Sequence, residues 1–374
     1  MSKIQHLVMS LLLVIKVIIR CTLITAQHIY VLAYFCYLLL LMPLRWSHPK
    51  LYWTIEGKLF KWLLTNVAAW GWSANYTVFE TGMDISAIQD DEAVIMVNHQ
   101  STGDVLTLMT CLQHKGKVLS QVMWLMDKLF LCAPFGTVSY IHGDFFIQQG
   151  KQYRDQQVKL LRNHLMSTYW TRYRKWLILF PEGGFLRKRR AGNQKYAKKN
   201  KLPVFEHVTL PRLGAMKTIM DTLRHYPDMA KKNGFRDNIT KRQVKWIIDM
   251  TIGYPGYPDI KPMNVQTWVC GWREPCQTVV HYRYYPINDV PVDEDGLMRW
   301  LYQRFEEKEE LLLHFYKTGK FPTQNMNCNT IKPQQIKLPF WWLLKINIFY
   351  ACSVYLWIQV IKSGLSYLCF YLPV

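Results

Sequence analysis

His99 and Asp104 are the residues of this sequence best suited to proton chemistry. They stand five positions apart in Asn98-His-Gln-Ser-Thr-Gly-Asp104, directly after the apolar run Ala93-Val-Ile-Met-Val97. A buried strand ending at Val97 puts both at its carboxyl end, where open α/β sheets carry their chemistry. A neutral imidazole takes a proton near pH 7, and a carboxylate partner fixes its tautomer. On a regular helix, five residues leave two side chains about 140° apart, so the pair meets only if His99 precedes the helix and Asp104 lies in its first turn or two. Asn98 and Ser101 would brace that turn. A His-x4-Asp pair is common by chance, and a capped helix start with a structural histidine fits the same residues.

A second constellation follows a second apolar run. Lys175-Trp-Leu-Ile-Leu-Phe180 reads as a strand that Pro181 terminates, because proline donates no ladder hydrogen bond. Glu182 is thereby displayed at the sheet edge, and Gly183-Gly184 lets a substrate approach the backbone. Arg187-Lys-Arg-Arg190 follows at once. A carboxylate beside a basic cluster suits an acceptor carrying hydroxyls and a phosphate, although a turn followed by solvated charge has the same composition. No Gly-x-Ser-x-Gly elbow is present, so a serine acyl-enzyme is not suggested. The lack of Walker A and Gly-x-Gly-x-x-Gly patterns disfavours nucleotide hydrolysis and dinucleotide binding. The nine cysteines include no Cys-x2-Cys pair and no Cys/His set at zinc spacing, which argues against a structural metal. Outside the apolar ends they read as reduced, buried thiols of a cytosol-facing protein.

The 374-residue chain is long enough for a full catalytic core, and at 50% hydrophobic and 14% aromatic it is not disordered. A net charge of +20 favours anionic partners. The excess is spread over Arg172-Lys175, Arg187-Arg190, Lys195, Lys198-Lys201 and Lys231-Lys232, any one of which by itself reads more readily as a solvated face. Asn75-Tyr-Thr77 and Asn238-Ile-Thr240 match the glycosylation tripeptide, a pattern common by chance. Both ends are apolar. Ile29 to Leu44 carries no charge and, extended back to Leu23, reaches the roughly 20 residues a bilayer needs. Leu7 to Leu23 also carries Lys16 and Arg20 on one helical face. It fits an interfacial helix with snorkelling cations or one arm of a hairpin, with a cleaved signal peptide as the competing reading. Phe340 to Leu372, with Trp341, Trp342 and Trp357 suited to the interface, repeats the theme. The sequence thus divides into membrane segments over 1–48, a polar catalytic domain over 49–335 and a membrane segment over 336–374, the basic middle facing the cytosol.

Within the middle, Leu51 to Trp72 and Val292 to Lys317 have helical spacing, as do Gly103 onward and Gln148 to Met166. Ala93–Val97, Val118–Val122, Thr137–Ile141, Lys175–Phe180, Val244–Tyr254, Val265–Val269 and Val279–Tyr285 read as strands, and Arg187 to Lys241 as an irregular basic loop. Alternating strands and helices imply an α/β fold with a mixed sheet flanked by helices.

Four blocks in order, Asn98-His99-x4-Asp104, Gly143-Asp-Phe-Phe-Ile147, Phe180-Pro-Glu-Gly183 and Leu210-Pro-Arg212, resemble the pattern of the glycerolipid acyltransferases related to 1-acylglycerol-3-phosphate acyltransferase. The order and spacing are far more specific than any single block. His142-Gly-Asp-Phe-Phe146, Phe180-Pro-Glu-Gly-Gly-Phe-Leu-Arg-Lys-Arg-Arg190, Trp246-Ile-Ile-Asp249 and Trp300-Leu-Tyr-Gln-Arg-Phe305 are most similar to the members that act on lysophosphatidylglycerol, over nearly the whole chain. The resemblance implies transfer of a fatty acyl group from acyl-CoA to a lysophospholipid hydroxyl at the endoplasmic reticulum membrane. No cofactor, metal or nucleic acid is implied. His99 would be the general base and Asp104 its orienter. Asn98, Phe145, Ile147, Glu182, Gly183, Arg187 and Pro211 would shape or bind the substrate site. Two positions depart from the family pattern. Gln149 stands where an arginine commonly ends the second block, with Arg154 or Arg187–Arg190 as substitutes, and Gly184 replaces a frequent threonine. Lysophosphatidylethanolamine, lysocardiolipin and monoacylglycerol are the rival acceptors. A non-catalytic protein binding acidic lipid is the rival class.

Overall fold

The strand that carries the first block is buried along its whole length, which explains its unbroken apolar run. It is β2 (Glu92–Val97) in an eight-stranded sheet ordered β4-β3-β5-β2-β6-β7-β1-β8. The other strands are β1 (Thr77–Met83), β3 (Val122–Asp127), β4 (Phe145–Ile147), β5 (Trp176–Leu179), β6 (Val244–Gly253), β7 (Gln277–Pro286) and β8 (Thr330–Gln335). The structure is a computed structural model, and it describes residues 3–224, 242–322 and 330–371. Lys231-Lys232, Asn238-Ile-Thr240, Cys328 and Leu372 lie outside the described residues.

β2 pairs in parallel with β5 on one side and β6 on the other, and β3 and β4 continue the parallel half. β7 then runs antiparallel to β6, which makes the sheet mixed. Pro333 is confined to the edge strand β8, where the ladder tolerates it. Alternate β2 side chains feed two cores. Ala93, Ile95 and Val97 face the layer that includes α3 (Pro49–Trp72), α4 (Gly103–Cys111) and α9 (Val265–Cys270). Val94 and Met96 face the layer of α6 (Arg154–His164), α8 (Leu213–Leu223) and α10 (Glu294–Thr318). Helices thus flank the sheet on both faces.

Several segments differ from their sequence-based expectation. Thr137–Ile141 belongs to helix α5 (Pro134–His142), not a strand. Proline at its start and Gly143 in the left-handed region at its end outweigh the short β-like composition. Val265–Val269 is helical because the Asn264 side chain accepts from the Thr267 amide at 2.9 Å and Gly271 closes the turn at φ +63°. Val118–Ser120 is a single tight turn, and the strand starts at Val122. The basic stretch after Arg187 contains helices α7 (Leu186–Lys199) and α8, so up to residue 224 it is more regular than its composition suggests. Only Leu186 and Ala197 of α7 are buried, which leaves almost no apolar periodicity to read.

The apolar ends form α1 (Lys3–Gln27), α2 (Tyr30–Leu40) and α11 (Phe340–Tyr371), giving two segments long and apolar enough to cross a membrane. They pack on each other and on α3. Asn347 of α11 accepts from Tyr30 at 3.2 Å and donates to Asn66 at 2.9 Å, and Tyr30 stacks on Tyr350. Leu7, Leu11, Ile15 and Ile18 remain exposed. Arg20 does not snorkel. Its guanidinium donates to the carbonyls of Trp70, Trp268 and Val269 and to the Ser73 hydroxyl at 2.7–3.2 Å, which clamps α1 to the carboxyl ends of α3 and α9. A cation is favoured there because helix carboxyl ends present unpaired carbonyls.

Candidate active site

β2 and β5 are neighbours and parallel, with Met96 opposite Leu179, so the loops that follow them leave the sheet side by side. His99 lies in the loop before α4, and Asp104 is in the first turn of that helix. The two side chains meet: His99 Nδ1 donates to Asp104 Oδ2 at 2.8 Å. The same oxygen accepts from the amides of Gln100 at 2.7 Å and Ser101 at 2.9 Å, and Tyr254 donates its hydroxyl to Oδ1 at 2.6 Å. Asp104 is fully buried and accepts four hydrogens, so it acts as a fixed acceptor that keeps the Nδ1 proton in place. Nε2 then carries the imidazole lone pair, and no hydrogen-bond partner meets it among the described residues. The ring stacks on Phe180 at a centroid distance of 4.0 Å and lies 4.3 Å from Phe185.

Glu182 is turned inward. It is 1% exposed. One oxygen accepts from the His99 amide at 2.7 Å, and the other accepts from the Thr209 amide at 2.9 Å and hydroxyl at 2.8 Å. Burial pushes its carboxyl up to about 8, against the pull of those three donors. The carboxylate therefore ties the first, third and fourth blocks together and is not presented at a sheet edge, as the sequence suggested. Asn98 is likewise no substrate ligand by its geometry. Fully buried, it donates to the Ile252 carbonyl at 3.0 Å and accepts from the Ile252 amide at 2.8 Å, joining β2 to β6. The amides of Gln100 and Ser101 are taken by Asp104 and that of Gly103 by Ser101 Oγ, so these do not supply an oxyanion site.

The other blocks open onto one cavity of about 1060 Å³. Phe145, Ile147, Phe180, Glu182, Gly183 and Pro211 line it, together with Arg154, Lys188, Arg189 and Arg212. Phe180 is thus both a wall of the cavity and the stacking partner of His99. Arg187 points elsewhere: it is exposed and is not a lining residue. The helical turn of α7 carries it away while setting Lys188 and Arg189 on the cavity wall. Arg212, the last residue of the fourth block but not among its expected site residues, sits beside Gly183. Its signal was the arginine directly after Leu210-Pro211.

The Acyltransferase family model matches residues 81–228, and the Acyltransferase C-terminus model matches residues 269–344. Acyl-CoA:lysophosphatidylglycerol acyltransferase 1 of Homo sapiens is 50% identical over 333 residues, 88% of this chain and 89% of that protein. This chain belongs to the glycerolipid acyltransferase family. A more distant member, lysocardiolipin acyltransferase 1 of Danio rerio, is 28% identical over 74% of this chain and 66% of its own length. The crystal structure of the PlsC acyltransferase of Thermotoga maritima, 11% identical, covers 78% of this chain and 98% of its own with a TM-score of 0.42.

In this acyltransferase the second block also carries a titratable buried group. Asp144 is 2% exposed, and burial pushes its carboxyl up to about 7 against the pull of the Trp124 amide and the Ser139 hydroxyl. Between its ordinary value near 4 and about 7, the folded protein holds this proton while the unfolded chain has lost it. Its contribution to stability is therefore full in acid and is lost as pH rises through 7. Asp144→Asn should remove that slope. Thermal unfolding in detergent should show the variant matching the parent near pH 4 and exceeding it by roughly 4 kcal/mol at pH 8. Parallel pH profiles for the two proteins would contradict the assignment.

Proposed function

We propose that this acyltransferase transfers a fatty acyl group from acyl-CoA to a free hydroxyl of a lysophospholipid, with lysophosphatidylglycerol as the acceptor. The observation that carries this reading is the unpartnered Nε2 of His99, held by Asp104 and set against Phe180 at the wall of a cavity with cationic lining. Nε2 takes the hydroxyl proton as the oxygen attacks the thioester carbonyl carbon. The tetrahedral intermediate then expels the CoA sulfur, which takes the proton from the imidazolium. One C–O bond forms, one C–S bond breaks, and the products are the diacyl phospholipid and CoA thiol. Asp104 stabilises the imidazolium, and Glu182 acts as a positioning residue through the His99 amide. Acyl-CoA serves as co-substrate, and no step calls on a cofactor or metal.

The cavity volume lies at the upper end of ordinary ligand sites, about 300–1,000 Å³, which suits a chain-bearing acceptor. We assign residues 1–48 and 336–374 to the membrane and 49–335 to the catalytic domain, facing the cytosol at the endoplasmic reticulum. Exposed apolar side chains on α1 and α11 support insertion, since an aqueous surface rarely carries so continuous an apolar patch. The test is a transfer assay in membranes over lysophosphatidylglycerol, lysophosphatidylethanolamine, lysocardiolipin and monoacylglycerol. Lysophosphatidylglycerol should give a kcat/KM at least about tenfold above the others, a difference of about 1.4 kcal/mol. A higher value for any other acceptor overturns the headgroup assignment, and release of no CoA thiol with any of them overturns the mechanism.

A further inference from the structure

The two departures from the family pattern, Gln149 and Gly184, meet at a single side chain. Gly184 adopts φ +156°, and a Cβ added there would sit 2.2 Å from Arg189 Nε. The space that a threonine side chain would fill is occupied by the Arg189 arm. The same guanidinium donates through Nη2 to Gln149 Oε1 at 3.3 Å. Arg189 therefore reaches from α7 across the third block to the second and ends where the second-block arginine would have stood. Next to it, Gly183 at φ +66° is covered by Arg212, whose Cδ lies 3.1 Å from the position of an added Cβ. Two consecutive glycines thus each carry an arginine arm, and both arms line the cavity.

Arg154 and Lys188 line the same cavity, with Glu182 and Glu294 as carboxylates on its wall. Among the described residues, no carboxylate lies within 4.0 Å of any of these four cations. Four cations around a cavity whose carboxylates pair with none of them suit an anion supplied from outside. A planar guanidinium pairs with phosphate oxygens in a bidentate way that glutamine or lysine cannot reproduce.

We propose that Arg189, admitted by Gly184 and tethered by Gln149, binds the phosphate of the acceptor headgroup with Arg212 beside it. In this chain the phosphate-binding guanidinium comes from α7 instead of from the end of the second block. The assignment rests on the reading that the acceptor is a lysophospholipid.

The test uses the full-length protein in membranes, varying lysophosphatidylglycerol and oleoyl-CoA separately, with monoacylglycerol as a phosphate-free acceptor. Arg189→Gln should raise KM for lysophosphatidylglycerol about 10–100-fold, the span expected for a lost charge-assisted bidentate contact. It should leave the KM for oleoyl-CoA, and any transfer to monoacylglycerol, within about twofold. Arg189→Lys should fall between parent and Arg189→Gln, and adding Gln149→Arg to Arg189→Gln should restore part of the loss. An unchanged lysolipid KM overturns the assignment. A rise confined to oleoyl-CoA overturns it in favour of a CoA phosphate, and an equal loss with monoacylglycerol overturns it in favour of a structural role. If the parent acylates no phosphate-bearing acceptor, the functional reading fails on its own. Thermal stabilisation by lysophosphatidylglycerol, equal in parent and Arg189→Gln, would then overturn the assignment independently, and its selective loss in the variant would sustain it.

Discussion

His99→Ala should lower turnover about 10³-fold, within the 10²–10⁴ range that a positioned general base contributes. The substitution removes Nε2, the atom proposed to take the hydroxyl proton, while sparing what holds the loop. The His99 amide still donates to Glu182, and Asp104 still accepts from Gln100, Ser101 and Tyr254. The ring is 13% exposed, so its loss leaves a shallow gap against Phe180 and Phe185 and not a sealed cavity. Thermal unfolding of the variant should thus stay close to that of the parent while CoA thiol release collapses. A variant that keeps near-normal transfer rules out His99 as the base.

Asp104→Asn should cost about 10²–10⁴-fold in kcat with little change in KM for either substrate, as expected when the charge that steadies an imidazolium is lost. The amide matches the carboxylate in shape. Its oxygen can take the place of Oδ2, accepting from His99 Nδ1, Gln100 and Ser101, and its nitrogen can turn to the Tyr254 oxygen. The fold is kept and the negative charge is gone. If His99 and Asp104 act as the one unit proposed, the double variant should be scarcely slower than His99→Ala alone. Kinetics of the three variants check this. Additive losses would mean that Asp104 serves something other than the imidazole.

The parts of the site carried by short-range pattern were the legible ones. An apolar run followed by Asn-His-x4-Asp predicts a strand, a loop and a helix start, and the helix period alone requires His99 to precede the helix if the pair is to meet. The 2.8 Å contact satisfies that requirement. The roles of Glu182 and Asn98 were not legible in the same way. A carboxylate after Phe-Pro reads as exposed, because proline ends strands and strand ends face solvent. Burial was decided by Thr209, 27 residues further on, whose amide and hydroxyl fold back over the carboxylate. The misread segments have a similar cause. In Thr137–Ile141 and Val265–Val269, β-branched residues favour strand, yet the flanking Pro134, Asn264, Gly143 and Gly271 set the ends of helices. Arg20 was read as a membrane cation because its neighbours are apolar. Its partners lie about 50 and 250 residues away, beyond any local window.

By itself the sequence determined the chemistry on offer: one imidazole, one carboxylate to orient it, a cationic surround and apolar ends. It did so because strand and helix periods are local and composition is additive. The tertiary structure decided which of these groups line the cavity. Parallel pairing of β2 with β5 brings two loops about 80 residues apart in sequence to one edge, turns Glu182 inward as a brace, turns Arg187 away and brings Arg189 over Gly184. Those outcomes depend on strand order and on the space a missing Cβ leaves, and neither is a property of any stretch of chain read alone.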